Sequence, residues 1–292
     1  MQKIVPHLWF DKEAVTAAKF YTSSIANSKM LGTSVIKDTP SGDCQTANFI
    51  LGGVEFMAIS AGPYFKLNPS ISFFVNFDPS KDKNAKESLN TLWAKLSEGG
   101  KILMALDKYP FSEWYGFVED RYGVSWQLIL TNPSGDERPQ IIPSLLFVGE
   151  KYGKAEEAVN FYLSVFKDSK LGSMVKTGNE VMFSDFKLGD LWVAAMDGKG
   201  DHKFDFNEAV SLIVKCEDQE EIDYFWEKLS AVPEAEQCGW LKDKFGVSWQ
   251  ITPKILGELM GSGDQAKTQR VTEAFLKMKK FDIAKLEEAA RR

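Results

Sequence analysis

Short apolar runs and amphipathic segments follow one another in an order that recurs along the chain. The run IVPHLWF at 4–10 predicts a strand, and KEAVTAAKFYTSSI at 12–25 places apolar residues at helical spacing. MLGTSVIKD, CQTANFIL and VEFMAIS then predict three strands separated by Pro-Ser-Gly and Gly-Gly turns. The order restarts with a strand at 70–78, SISFFVNFD. The pattern therefore predicts consecutive βαβββ units.

The chain also repeats itself on a larger scale. The string DRYGVSWQLIL at 120–130 returns as DKFGVSWQITP at 243–253, and earlier segments match in the same order. These matches predict a duplicated domain of roughly 130 residues, so that the chain holds four βαβββ units. We therefore predict an α+β protein with two tandem domains, 1–132 and 140–254, and a C-terminal helical tail, 255–292.

The connector and the tail differ from the repeats. TNPSGDERPQ at 131–140 holds Pro, Gly, Ser and charges without apolar periodicity, which predicts an exposed link. In the tail, Val271, Phe275, Met278 and Leu286 stand among many charged residues. This spacing predicts an amphipathic helical appendage, packed on the body of the protein or on a partner.

Composition narrows the possible partners and the compartment. The 292 residues are 44% hydrophobic and 26% charged, which is typical of a globular protein, and the net charge is -6. This charge argues against nucleic acid or an anionic membrane as the main partner, and no apolar run has the length of a membrane span. The three cysteines, Cys44, Cys216 and Cys238, form no CxxC pair. We therefore expect a protein of the reducing cytoplasm.

The repeated string carries a family resemblance. A paired βαβββ unit closed by Asp-x-x-Gly-x-x-x-(acid or amide) resembles the vicinal oxygen chelate superfamily, which includes glyoxalase I, bleomycin-resistance proteins and ring-cleaving dioxygenases. Here the closing string occurs as Asp120, Gly123 and Gln127 and as Asp243, Gly246 and Gln250. The stretches CEDQEEIDYFWEKLS, QCGWLKDKFGVSWQITP and AFLKMKKFDIAKLEEA are similar to its PhnB-like branch, often labelled 3-demethylubiquinone-9 3-methyltransferase. The resemblance implies glyoxalase/bleomycin-resistance-like domains in which eight strands form a half-open barrel around a cavity.

Methyl transfer is not expected from these residues alone. A Rossmann-type methyltransferase needs a strand followed by a Gly-rich turn on which the cofactor lies. The glycine pairs at 51–53 and 98–100 lie in a predicted hairpin and after a predicted helix, without the required spacing.

The resemblance also implies where a metal would bind, because metal-using relatives supply His and Glu ligands from the first and last strands of their units. The matching positions in this chain carry His7, Ser72 and Gln127 in the first half and Ser144, Ser211 and Gln250 in the second. Ser and Gln are weak ligands for a divalent ion. We therefore predict no full metal-ligand set and no cofactor, and a divalent metal in the first half remains an alternative.

The same positions could instead line a ligand cavity, as polar points on apolar walls. His7 is a candidate general base or a lone strand histidine held by a hydrogen bond, and Gln127 is a candidate for orienting a substrate. Alternation along strands adds neighbours on the same faces. The candidate ligand-binding residues are Trp9, Ser72, Phe74, Ser125, Ser144, Ser211, Ser248, Gln250 and Cys238. Alternatively, Gln and Ser satisfy each other in a packed barrel, and Cys238 is a buried apolar residue or a nucleophile.

Two functions remain open at this point. The first is a protein that binds a small organic molecule without a metal. The second is a metal-dependent lyase, isomerase or dioxygenase-type enzyme that uses His7. The resemblance implies that the fused halves imitate a dimer of single-domain relatives inside one chain, in a monomer or a homodimer. Since only the first half keeps a histidine at this position, our hypothesis is that the first half holds the working pocket.

Overall fold

The computed structural model describes residues 2–291. In the first half, a strand, a helix and three strands follow one another twice, as predicted. The elements are β1 (Ile4–Phe10), α1 (Ala14–Ser24), β2 (Lys29–Thr39), β3 (Gly42–Leu51), β4 (Val54–Ser60), β5 (Ile71–Phe77), α2 (Ala85–Ser97), β6 (Lys101–Tyr109), β7 (Ser112–Glu119) and β8 (Ser125–Leu130).

The second half repeats this order but shortens its last unit. Its elements are β9 (Ile141–Phe147), α3 (Ala155–Val165), β10 (Ser169–Thr177), β11 (Glu180–Leu188), β12 (Leu191–Asp197), β13 (Val210–Cys216), α4 (Gln219–Leu229), β14 (Trp240–Lys242) and β15 (Ser248–Pro253). Where the first half has β6, the second half has a 3-10 turn at Pro233–Ala235. Proline lacks an N–H for strand pairing, which is one reason why this segment departs from the predicted strand.

Strand pairing joins the two halves in both sheets. The seven-stranded sheet has the order β14-β15-β13-β1-β4-β3-β2, and the eight-stranded sheet has the order β10-β11-β12-β9-β5-β8-β7-β6. In the middle of each sheet the pairing is antiparallel, β1 with β13 and β5 with β9. Each sheet therefore combines one unit from each half of the chain. Whether 1–132 and 140–254 also fold as separate domains stays a prediction.

One continuous apolar core unites the two sheets and the helices. It contains Phe56 from the seven-stranded sheet and Phe73 from the eight-stranded sheet, whose ring centroids lie 5.2 Å apart. Tyr21 of α1 reaches Trp126 of β8 in the same core, at 5.1 Å. Because side chains alternate across a strand, the residues between these core positions point to the opposite face of each sheet.

These two opposite faces carry the candidate site residues. We call the first the His7 face, formed in the seven-stranded sheet by Val5, His7, Trp9, Ser211, Ile213, Ser248 and Gln250. We call the second the Ser72 face, formed in the eight-stranded sheet by Ser72, Phe74, Ser125, Gln127, Ile142 and Ser144.

The repeated string forms the same buried loop twice. Asp120 accepts hydrogen bonds from the backbone N–H groups of Tyr122 and Val124 and, at 2.8 Å, from the indole of Trp126. Gly123 turns the chain at a φ of 88°, which favours glycine. Asp243 repeats these contacts with the indole of Trp249. The Asp, Gly and Trp of the string therefore build the fold, which explains their repetition.

The tail is helical, as predicted, but it is broken into α5 (Lys254–Met260), α6 (Gln265–Phe275) and α7 (Ile283–Arg291). Val271 and Leu286 are buried in the common core. Between α6 and α7, the carbonyls of Met278 and Lys279 accept hydrogen bonds from the body of the protein, which interrupts the helix. Among residues 2–291, no helix has the length and apolar character needed to cross a membrane.

Candidate functional site

His7 lies in the middle of the seven-stranded sheet, paired with Ser211 of β13 and Met57 of β4. Its ring meets the ring of Trp240 edge to face at a centroid distance of 5.5 Å. The side chain is 3% exposed, and its Nδ1 has no hydrogen-bond partner. Such an orphaned buried nitrogen is costly, so a group that satisfied it would stabilise the site.

Burial controls the charge of His7. It lowers the pKa of the imidazole from 6.5 to about 3, because no nearby acid offsets the loss of hydration. His7 is therefore neutral at pH 7. A base with so low a pKa is a poor proton acceptor at neutral pH, although a neutral imidazole can still donate or accept a hydrogen bond.

The Ser72 face contains a chain of buried hydrogen bonds. The Tyr115 hydroxyl donates to Gln127 Oε1 at 2.6 Å, and Gln127 Nε2 donates to Ser72 Oγ at 2.9 Å. The His7 face has a matching bond from Gln250 Nε2 to Ser211 Oγ, also 2.9 Å. The Gln and Ser side chains thus satisfy each other, which is the packing alternative derived from the sequence.

The structure regroups the residues that the sequence assigned to each half. His7 was grouped with Ser72 and Gln127, but it lies beside Ser211, while Ser72 pairs with Ser144. The reason is that β1 pairs with the second half and β5 with β9. His7 and Gln127, the two catalytic candidates, consequently lie in different sheets. Both faces therefore draw on both halves, and that the first half holds the working pocket stays a prediction.

Buried polar atoms without partners concentrate on these two faces. Among residues 2–291, six buried side-chain atoms lack a hydrogen-bond partner. Four of them are His7 Nδ1 and Ser248 Oγ on the His7 face and Ser125 Oγ and Ser144 Oγ on the Ser72 face. In a folded protein most buried polar groups are paired, so this concentration marks the faces as places where a ligand or water would bind.

A cavity of about 990 Å³ opens at one end of the Ser72 face. Its apolar wall is shared between the halves, with Phe74 and Ile129 from the first and Phe183 and Ala194 from the second. The rings of Phe74 and Phe183 meet edge to face at 5.9 Å. The volume lies within the range of small-molecule sites. Of the candidate residues named from the sequence, Phe74 lines this cavity.

The connector supplies the polar wall of the same cavity. Residues 132–137 are exposed as predicted, but Arg138 turns inward and its Nε donates to Asp185 at 2.5 Å. The guanidinium also stacks over Trp192 at 4.0 Å from the ring centroid. Asp185 additionally accepts from the backbone N–H and the hydroxyl of Ser173. Sequence reasoning missed Arg138 because a lone arginine in a polar link carries no periodic signal.

A second cavity, of about 560 Å³, lies between the loops of the first half. Trp9 and Phe65 line it with their rings 5.0 Å apart, and Trp9 is also 6.1 Å from Trp240. Trp9 thus lies between this cavity and the surroundings of His7. The wall is of mixed charge, with Lys66 and Arg121 facing several acids.

Cys238 lies outside both cavities, in a turn before β14. Its sulfur is 3.8 Å from the Leu276 carbonyl oxygen of the tail. The lysines that could favour a thiolate are engaged elsewhere, Lys242 with Glu208 and Lys244 with Glu157. Burial raises the pKa of the Cys238 thiol, which favours the unreactive protonated form.

The side chains around His7 do not fit a divalent metal ion. Ser211, Gln250 and Met57 offer no carboxylate or second imidazole to hold a double positive charge. Within residues 2–291, no three His, Cys, Asp or Glu side chains are grouped so that they could hold a metal ion. We therefore derive no metal-dependent step for this site.

The two paired sheets have the fold expected from the resemblance to the vicinal oxygen chelate class. Glyoxalase I from Zea mays has a similar fold over 90% of this chain and 98% of its own, with a TM-score of 0.54 and 14% identity. A family described as 3-demethylubiquinone-9 3-methyltransferase matches residues 2–129 and 139–252. The chain belongs to this PhnB-like family, which confirms the resemblance and the duplication expected from the sequence.

Two shorter structures match one half of the chain. The PhnB protein from Bacillus cereus is 36% identical over 44% of this chain and 100% of its own, with a TM-score of 0.40. A variant of the fosfomycin resistance protein FosX from Listeria monocytogenes, solved with Mn(II), is 10% identical over 43% of this chain and 89% of its own, with a TM-score of 0.32. No curated protein matches the chain.

Proposed function

We propose that the protein binds a small organic molecule in the cavity at the end of the Ser72 face. The observation that supports this most strongly is the cavity of about 990 Å³ whose apolar wall comes from both halves. Ligand sites of this kind combine apolar walls with a few placed polar groups. Here Arg138 and Asn76 supply polar groups beside Phe74, Phe183 and Ala194.

The shape and charge of the cavity indicate the kind of ligand. Phe74 and Phe183 suit a planar or partly aromatic body, which would contact their rings. Arg138 is paired with Asp185, but Asp78, Asp82, Asp136 and Glu137 line the same cavity beside Lys81, so the polar wall is acidic overall. An aromatic molecule that is neutral or positively charged therefore fits better than a free anion.

The test is native mass spectrometry of the gently purified protein beside its denatured mass. We expect an organic adduct in the native protein. It should be lost in Ala194→Leu, which fills the cavity wall, and kept in His7→Gln, which alters the other face. The adduct would then be released and identified.

The opposite pattern, with loss in His7→Gln alone, would place the ligand on the His7 face and contradict the proposal. The absence of an adduct would lead to a thermal-shift screen with aromatic compounds. The proposal fails if no compound stabilises the wild type more than Ala194→Leu. Far-UV circular dichroism of both variants checks that they fold.

A second candidate function is an enzyme of the lyase, isomerase or dioxygenase type that uses His7. The orphaned Nδ1 of His7 favours it, since a substrate or an ion could satisfy that nitrogen. The low pKa and the lack of acidic neighbours argue against it. One divalent ion per chain in the native mass, lost in His7→Ala together with turnover, would support the enzyme. We do not propose methyl transfer, since the chain lacks the Gly-rich turn for its cofactor.

We further propose a compartment and an oligomeric state for the protein. Cys44, Cys216 and Cys238 are free thiols, which suits the reducing cytoplasm. Because the two halves already complete each other's sheets, we propose a monomer that imitates a dimer internally. Doubling of the native mass would instead indicate a homodimer.

A further inference from the structure

The His7 face lies in a sheet that is incomplete at one edge. In the eight-stranded sheet, β7 pairs with β8 from Tyr115 to Glu119. In the seven-stranded sheet, β14 pairs with β15 over only three positions, Trp240 to Lys242. The chain turns back at once, because Gln237 and Trp240 close a tight turn through Cys238 and Gly239. Between α4 and β14, the described residues 230–239 hold a 3-10 turn and no strand that corresponds to β6.

The C-terminal tail occupies the place next to this shortened edge. The backbone N–H groups of Cys238 and Gly239 donate to the carbonyls of Met278 and Lys279 at 2.8 and 2.7 Å. The Gln237 amide donates to the Leu276 carbonyl at 2.9 Å. These bonds satisfy backbone donors that would otherwise be left open at a sheet edge.

Packing reinforces the contact. Phe281 is 3% exposed and covers Gly239 so closely that a Cβ on this glycine would lie 2.3 Å from the phenyl ring. Gly239 also has a φ of 83°, which disfavours any other residue. The matching position in the first half, Gly116, is covered in the same way by Trp93 of α2. Phe281 of the tail thus covers this glycine in the second half, as Trp93 of α2 covers the matching glycine in the first half.

The same segment reaches the opposite edge of the sheet. The strands β14 and β2 stand at the two ends of the seven-stranded order, and α6 contacts β2. Residues 265–281, which we call the strap, therefore join both edges. Next to the strap contact, Trp240 holds the ring of His7 edge to face. Opening the strap would free the segment that carries Trp240.

We propose that the strap, which packs on the core side of the segment that carries Gly239 and Trp240, fixes Trp240 over His7 and so controls access to His7. With the strap in place His7 is buried with an orphaned Nδ1. Release of the strap lets Trp240 move and opens His7 and Ser248 to water or to a ligand. This inference concerns the His7 face, so it stands independently of the ligand proposed for the Ser72 face.

Chemical labelling of the full-length protein tests this inference. Diethyl pyrocarbonate acylates the unprotonated imidazole, and mass spectrometry of peptides separates His7 from His202, which lies in the polar loop. In the wild type we expect slow labelling of His7 and fast labelling of His202. In Phe281→Ala, which removes the main strap contact, labelling of His7 should rise at least ~10-fold, because the closed population falls. The rate for His202 should not change.

A second variant and a matched control sharpen the test. Gly239→Ala pushes Phe281 away and should also speed labelling of His7. Gly257→Ala in α5 has open space around its new methyl group and should leave the rate unchanged. Reaction of Cys238 with a thiol reagent reports release of the strap separately.

Two outcomes would overturn the proposal. The first is faster reaction of Cys238 in the variants without faster labelling of His7, which would mean that the strap detaches without opening the His7 face. The second is an unchanged rate for both residues in variants that remain folded. If Phe281→Ala does not fold, the milder Phe281→Leu is judged by the same rates.

Discussion

Acid is expected to destabilise the folded protein through His7. Burial lowers the pKa of this residue to about 3, whereas in the unfolded chain it returns to 6.5. At pH values between about 3 and 6.5, His7 binds a proton in the unfolded state but not in the folded state. The free energy of unfolding is therefore not reduced by His7 above pH 6.5, and it falls as the pH decreases from 6.5 toward 3. Replacing His7 by glutamine, which does not titrate, should remove this part of the acid sensitivity.

The magnitude follows from the pKa difference. Each pH unit below 6.5 lowers the free energy of unfolding by about 1.4 kcal/mol while the folded state stays unprotonated. Between pH 7.5 and pH 5.0 the loss assigned to His7 is therefore ~2 kcal/mol. A change of this size is a substantial part of the total stability of an ordinary domain.

Urea unfolding at pH 7.5 and pH 5.0, followed by circular dichroism, measures the effect. We compare the pH-dependent loss of stability in the wild type with that in His7→Gln, so that contributions of all other groups cancel. The matched control is His202→Gln, which removes the other histidine from an exposed loop. Between pH 7.5 and pH 5.0, the free energy of unfolding should fall as much in the control as in the wild type. In His7→Gln it should fall by ~2 kcal/mol less. An equal loss in His7→Gln and the wild type would refute the reasoning.

Two further predictions concern the closing loops and the pairing of the halves. In Asp243→Asn the amide would place an N–H against the indole N–H of Trp249, which should cost ~1–3 kcal/mol in urea unfolding. Asp264→Asn, at the exposed N-cap of α6, should change the free energy of unfolding little. Equal losses in Asp243→Asn and Asp264→Asn would contradict the role of the loop. Residues 1–132 expressed alone leave β1 without β13 and β5 without β9, so we expect self-association by light scattering. A stable monomer would argue against the need for pairing between the halves.

Much of the fold could be predicted because strands and helices leave local patterns of apolar and polar residues in the sequence. The alternation in IVPHLWF separates the core residues Ile4 and Leu8 from His7 and Trp9, and the structure keeps this division. The repeated closing string located the ends of both halves. The same alternation predicts Gln127 and Ser125 on one face of β8. The pairing of β8 with β5 then places Gln127 within hydrogen-bond distance of Ser72.

The choice of strand partners could not be read from these patterns. Periodicity shows which face of β1 is buried, but it does not show that β1 pairs with β4 of its own half on one side and with β13 of the other half on the other. The grouping of His7 with Ser211 depends on that choice. Arg138 was missed for a related reason, since it lies in the connector and its partner Asp185 is 47 residues away in the second half. The contacts that define the candidate site are long-range, and only the folded chain reveals them.

The pairing across the halves also bears on how the protein is made at the ribosome. Strand β5 finds its partner β9 soon after the connector emerges, so the eight-stranded sheet can begin to assemble early. Strand β1 must wait for Ser211 and its neighbours, roughly 200 residues later, and such distant contacts form slowly. During this interval the edge of β1 stays open to wrong partners. The N-terminal strand is therefore among the first parts of the chain to be synthesised and among the last to gain its second partner, although β4 can pair with it earlier.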